Sequence, residues 1–148
     1  SGWQVNGITT FQGGTPLSVT LYTSTTCCGA GQRPNSTGRS AKLPSSERTL
    51  DRSINPAAFS QPDPYTFGNT GWTSPDLRGT GANSWTVSFF KNTSVSERVK
   101  TQFRVEFFNF FNHPMWGAPG ASFGSPTFAR VLTKSGNRSG QLGLKVIF

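Results

Sequence analysis

Apolar and polar residues alternate with period two along five stretches of the chain, the pattern a half-covered β-strand leaves in a sequence. In residues 3–11, Trp3, Val5, Gly7, Thr9 and Phe11 fall on one side, and Gln4, Asn6, Ile8 and Thr10 on the other. In residues 16–22, Leu17, Val19 and Leu21 alternate with Ser18, Thr20 and Tyr22. In residues 85–91, Trp85, Val87 and Phe89 alternate with Thr86, Ser88 and Phe90. The clearest stretch is 99–110, with Val99, Thr101, Phe103, Val105 and Phe107 opposite Lys100, Gln102, Arg104 and Glu106. In 140–148, Leu142, Leu144, Val146 and Phe148 oppose Gln141, Gly143, Lys145 and Ile147. No stretch keeps an apolar stripe at helical spacing.

These five strands predict an all-β fold: an antiparallel meander with two long irregular loops, 23–84 and 111–139. The whole chain, residues 1–148, is read as a single β-rich segment. The predicted core is Trp3, Val5, Leu17, Val19, Leu21, Trp85, Val87, Phe89, Phe103, Val105, Phe107, Leu142, Leu144, Val146 and Phe148. The connections alternate in length. Residues 12–15 and 92–98 are short turns, whereas the other two are long and rich in Gly, Pro, Ser and Thr. A structureless loop longer than about fifteen residues is unusual in a compact soluble domain. Outer-membrane barrels have this asymmetry, with short turns on the periplasmic side and long loops outside. The apolar faces then have two readings, a soluble core or a lipid contact. In the second, Lys100, Gln102, Arg104 and Glu106 line a watery interior, and Arg104 and Glu106 are spaced to pair.

Composition supports strands over disorder. The apolar fraction is only 33%, yet aromatics reach 13% and include 13 Phe; disordered chains are poor in aromatics. The net charge of +8 comes from scattered Lys and Arg, with no basic run and no nucleic-acid-binding motif. No apolar run is long enough for a transmembrane helix. The first residues, Ser1-Gly2-Trp3, already sit within a strand pattern, so the sequence reads as a piece of a longer polypeptide.

Catalytic and metal chemistry find no constellation. A single histidine, His113 in Asn112-His113-Pro114, reads as a turn residue after a strand. The six carboxylates form no acid/base pair. Gly13-Gly14 and Gly79-Thr80-Gly81 lack the surroundings of a phosphate loop. The expectation is a non-enzymatic chain without cofactor or metal. The adjacent Cys27 and Cys28 are loop residues and a candidate disulfide, either vicinal and strained or paired elsewhere. Asn35, Asn92 and Asn137 each begin an Asn-X-Ser/Thr triplet, a weak candidate for glycosylation.

The last eight residues, Gln141 to Phe148, read polar, x, Gly, x, x, hydrophobic, x, aromatic. With Gln141, Gly143, Val146 and Phe148 at the key places, they resemble the terminal signal read by the barrel-assembly machinery. Further blocks extend the likeness: Gly2–Ile8, Phe11–Leu17, Asn55–Phe59, Leu77-Arg78-Gly79, Phe90-Lys91-Asn92 and Phe103–Pro114. In this order they resemble the C-terminal barrel segment of TonB-dependent receptors, in the group with an N-terminal carboxypeptidase-regulatory-like domain. The resemblance implies active uptake across the bacterial outer membrane by a large barrel around a plug. Five strands make only an incomplete barrel-type sheet, because the smallest barrels need about eight. The implied partners are the rest of the barrel, the assembly machinery and outer-membrane lipid, with no nucleic acid. The alternative is an extracellular structural protomer whose open strand edges pair with other copies, by strand exchange, into a fibre. Deleting Phe148 should impair membrane assembly of the parent protein. Outer-membrane levels equal to those of the intact protein would remove the terminal-signal argument.

Overall fold

The computed structural model describes residues 2–26 and 31–148. Along the chain run β1 (Trp3–Gln12), the two-residue strands β2 (Thr20–Leu21), β3 (Asn35–Ser36) and β4 (Phe59–Ser60), and the long β5 (Ala82–Ser94) and β6 (Lys100–Phe108). The short β7 (Met115–Trp116), β8 (Ser122–Phe123) and β9 (Lys134–Ser135) precede β10 (Ser139–Ile147). The described residues hold no α-helix, so the all-β expectation stands. The chain divides into two compact units, one of Ser1–Gly13, Gly81–Met115 and Ser135–Phe148, the other of Gly14–Thr80 and Trp116–Lys134.

The first unit is the sheet. Its order is β1-β5-β6-β10, with every neighbouring pair antiparallel and no closure into a barrel. The strands are 10, 13, 9 and 9 residues long. The β5–β6 hairpin closes through a short turn in which Val95 and Ser96 N–H donate to the Val99 carbonyl, at 2.9 and 3.1 Å. The other two connections, 13–81 and 109–138, are long. Because Gln12 pairs with Ala82 and Phe108 with Ser139, both leave from the same end of the sheet. The hairpin turn lies at the opposite end.

The sheet therefore has four long strands where the alternation predicts about five, and 16–22 is the segment that differs. β1 pairs with β5, skipping it. Residues 12–15 are no hairpin turn, and the long connection begins directly after β1. The backbone passes so close to Gly79 that a Cβ on Gly14 would lie 1.7 Å from its carbonyl oxygen. Only glycine fits there. The alternation in 16–22 is real extended chain, but its apolar side is taken up elsewhere. Val19 is fully buried and Leu21 nearly so, both in the second unit.

That second unit is built from residues 16–22 together with most of the two stretches the sequence leaves as irregular loops. β2 pairs in parallel with β8, and β3 pairs with β4. Val19, Ala41, Ile54, Ala58, Phe59, Leu77 and Ala129 form its buried cluster, against which Leu17, Phe123 and Phe128 pack. Phe59, Phe123 and Phe128 contact one another with centroids 5.4–6.2 Å apart. Asn55 caps the short 3-10 turn Pro56–Ala58 by accepting from Ala57 N–H at 3.1 Å, and its amide donates to Ser40 O at 2.9 Å. Ser53 and Val131 N–H donate across to Ala129 O and Leu50 O, and Arg130 pairs with Asp51 at 3.0 Å. The Asn55–Phe59 and Leu77–Gly79 motifs are thus structural ties: Leu77 is in the core, and its carbonyl accepts from Leu17 N–H at 3.1 Å.

The core thus sits elsewhere than predicted. Of the fifteen residues expected inside, Val19 and Leu21 are buried, whereas Trp3, Val5, Phe103, Leu142, Leu144, Val146 and Phe148 are exposed. The physical reason is that nothing within the sheet's own unit covers its apolar side. Ile54 is fully buried, so Ile54→Ala should destabilise the second unit by about 2–5 kcal/mol. Faster hydrogen exchange confined to residues within 14–80 and 116–134 would report it, with the sheet unchanged.

Candidate functional site

The chemistry-bearing feature of the first unit is the difference between the two faces of its sheet. Residues directly opposite in an antiparallel pair share a face, and successive residues alternate between faces. The register carries the apolar sides of four separate stretches onto one surface. Across the sheet run Val5, Phe89, Val105 and Leu142, then Gly7, Val87, Phe107 and Gly140, then Trp3, Lys91, Phe103 and Leu144. The other face carries Ser88, Glu106 and Gln141 in one row, Asn92, Gln102 and Lys145 in another, and Gln4, Asn6 and Thr10 along β1. The two sides read from the sequence are therefore the two sides of one sheet.

The apolar face is open along its edge strands, where Val5 is 62% exposed, Leu142 73% and Leu144 68%, while Trp85, Val87, Phe89, Val105 and Phe107 on the central strands are half-buried. Such an expanse exceeds the scattered surface apolar residues of a water-soluble monomer and marks a surface made for contact. Aromatic rings concentrate toward the end from which the long connections leave. Phe11 meets Trp85 edge-on at 5.9 Å, Trp85 meets Phe111 at 5.4 Å, Phe111 meets Phe110 at 5.2 Å, and Phe110 meets Phe107 at 5.7 Å. Near the hairpin end, the Lys91 ammonium lies 5.1 Å from the Trp3 ring centroid.

The polar face is wired across strands. Glu106 accepts from the Ser88 hydroxyl at 3.4 Å and from the Gln141 amide at 2.6 Å. Gln102 donates to Asn92 Oδ1 at 2.8 Å and accepts from Arg104 Nε at 2.7 Å. The Arg104 guanidinium lies 5.2 Å over the Phe90 ring. The expected Arg104–Glu106 pair does not form. Arg104 turns instead to Gln102, its other neighbour two steps along β6, while Glu106 is taken by Ser88 and Gln141 directly across from it.

Of the terminal-signal residues, Gln141 and Gly143 lie on the polar face, and Val146 on the apolar face. Gln141 ties β10 to Glu106. A Cβ on Gly143 would meet Arg104 Cβ at an ordinary 3.8 Å, so no tight approach inside this chain requires glycine there. Phe148 lies beyond the β10 ladder and is 96% exposed. Asn35 Oδ1 accepts from Asn69 N–H at 3.1 Å, Asn92 is engaged by Gln102, and Asn137 is exposed just before β10. Cys27 and Cys28 lie outside the described residues. His113 directly follows the Asn109–Asn112 turn rather than lying in it, its ring stacked on Phe111 at 5.9 Å with Nδ1 buried and without a hydrogen-bond partner among the described residues. Among the described residues no group of three or more His, Cys, Asp or Glu is placed to hold a metal.

Sequence reasoning missed Asn109, which ends β6. It is buried, takes a left-handed φ of 51°, accepts from His113 N–H at 3.0 Å, and donates to His113 O and Gly136 O. The available signal was an asparagine inside an aromatic run, since Asn tolerates this conformation better than other non-glycine residues. Asn109→Gly keeps the turn and loses the bonds, whereas Asn109→Ala loses both. Ala should therefore cost more stability than Gly, and denaturant midpoints in detergent would rank them.

Compared with known proteins, residues 1–141 match a family model described as "Outer membrane beta barrel domain". No curated protein and no solved structure gives a significant match.

Proposed function

Because the chain belongs to the outer membrane beta barrel domain family, and so to a bacterial outer-membrane barrel, we propose that its four long strands form one arc of the wall of a TonB-dependent receptor. The observation that carries this reading is the register. It gathers apolar residues from four stretches onto one uncovered face and polar residues onto the other, as a barrel wall between lipid and water requires. Strands of 9–13 residues suit a bilayer, which a tilted strand crosses in about 9–11 residues. The aromatic run from Phe11 to Phe107 fits an interfacial girdle.

In this reading the 95–99 turn faces the periplasm and both long connections face outward. β1 then runs outward from Trp3 to Gln12, the reverse of the direction implied by a five-strand meander. The edges of β1 and β10 lack partners among the described residues, and further strands of the barrel would take up their backbone groups. The transporter resemblance rests on the motif order from Gly2 to Phe148, and the role proposed for this segment is wall and assembly rather than catalysis. Strand exchange between copies draws support from the same open edges, and the apolar faces would then pack together as buried cores.

Val105→Arg on the apolar face should cost about 2–4 kcal/mol near the membrane midplane, while Asn6→Arg on the polar face should be tolerated. Outer-membrane abundance and resistance of the folded band to heating in detergent gels would compare them. Equal behaviour of the two variants would sink the lipid-facing assignment. Crosslinking of the parent protein to TonB tests the transporter reading; a fully assembled barrel that never crosslinks would remove it.

A further inference from the structure

The polar face is unevenly charged. Its rows nearest the hairpin turn hold Lys100, Arg104 and Lys145, grouped around Gln102. Lys145 stands directly across from Gln102, and Lys100 and Arg104 are two residues to either side of it on β6. These side chains, with Asn92, line one open groove of about 660 Å³. Lys100 and Lys145 have no hydrogen bond or ion pair among the described residues. Arg104 spends only Nε, on Gln102. Its Cζ lies 5.2 Å over the Phe90 ring centroid, and the two terminal nitrogens remain for a bidentate partner. The one carboxylate on this face, Glu106, is held by Ser88 and Gln141. Glu97, in the turn, is not part of the groove's lining.

We propose that this groove is an oxyanion site, in which Lys100, Arg104 and Lys145 hold a multiply charged phosphate- or carboxylate-bearing solute and the Gln102 and Asn92 amides stand beside it. Cross-strand neighbours about 5 Å apart and same-strand neighbours about 7 Å apart let three long cationic side chains converge on one small anion. The Gln102–Asn92 and Gln102–Arg104 bonds orient the groove before a ligand arrives, which lowers the ordering cost of binding. The inference rests on the barrel reading in one respect: the polar face must look into water that such a solute can reach.

The test is calorimetric titration of the detergent-solubilised protein at low ionic strength, where screening is weak. Inorganic pyrophosphate and citrate serve as probes and separate a phosphate from a carboxylate preference. Wild type should bind at least one of them. Lys145→Gln should weaken binding roughly tenfold, as loss of one charge-assisted contact implies, and the Lys100→Gln, Arg104→Gln, Lys145→Gln triple variant should abolish it. The same number of cations removed from the second unit (Arg39→Gln, Arg48→Gln, Arg52→Gln) should leave binding unchanged. If the triple variant fails to assemble, Lys145→Gln decides alone, since Lys145 is exposed on the last strand. No binding of either probe by the folded wild type, or equal binding by the groove variants, overturns the site. The cell fraction holding the protein reports separately on the barrel: binding by a protein found outside the outer membrane would keep the site and lose the barrel.

Discussion

Everything in the sheet follows from the pairing register of four strands. A strand shows its residues to alternate faces, so sliding any one of them by a single position would move its whole apolar set to the other side. The register avoids that at each of the three junctions. Val5 meets Phe89, Phe89 meets Val105, and Val105 meets Leu142. Each pairing is long-range in sequence except the β5–β6 hairpin, so it depends on what the two long connections do as well as on the strands.

The two units bury apolar residues in different ways. In the second, Val19, Ile54, Phe59 and Leu77 turn inward and exclude water, as in any soluble core. In the first, the apolar residues turn outward, and Val5, Leu142 and Leu144 stay more than half exposed. The hydrophobic effect forbids such a surface in water unless something covers it. In the proposed reading lipid acyl chains supply the cover, being as apolar as the side chains they would meet.

The polar face shows the complementary economy. Its amides and hydroxyls bond to one another across strands, from Ser88 through Glu106 to Gln141 and from Asn92 through Gln102 to Arg104. These bonds add cross-strand ties to the backbone ladder and fix where the charged groups stand. The result is a polar face whose Glu106 is engaged by hydrogen bonds and whose cations Lys100, Arg104 and Lys145 stand together near the hairpin turn.

The sequence by itself determined the all-β class, the division of each long strand into an apolar and a polar side, and the inequality of the connections. Those properties are local, because side-chain alternation needs no knowledge of the partner strand. The bounds of two strands came close, with residues 99–110 becoming Lys100–Phe108 and 140–148 becoming Ser139–Ile147, whereas 85–91 falls three residues short at each end of Ala82–Ser94. Only the tertiary structure decided that 16–22 leaves the sheet, that the stretches around Ile54 and Ala129 fold into a second unit, and that Asn109 ends β6. Leu17, Val19 and Leu21 carry the same period-two signature as a sheet strand. Period two records an extended backbone with one covered side and says nothing of what covers it. The loop core is assembled from residues such as Val19, Ile54, Leu77 and Phe128, too far apart and too irregularly spaced to leave a pattern. Their meeting is fixed by packing and by backbone hydrogen bonds, which no local spacing encodes.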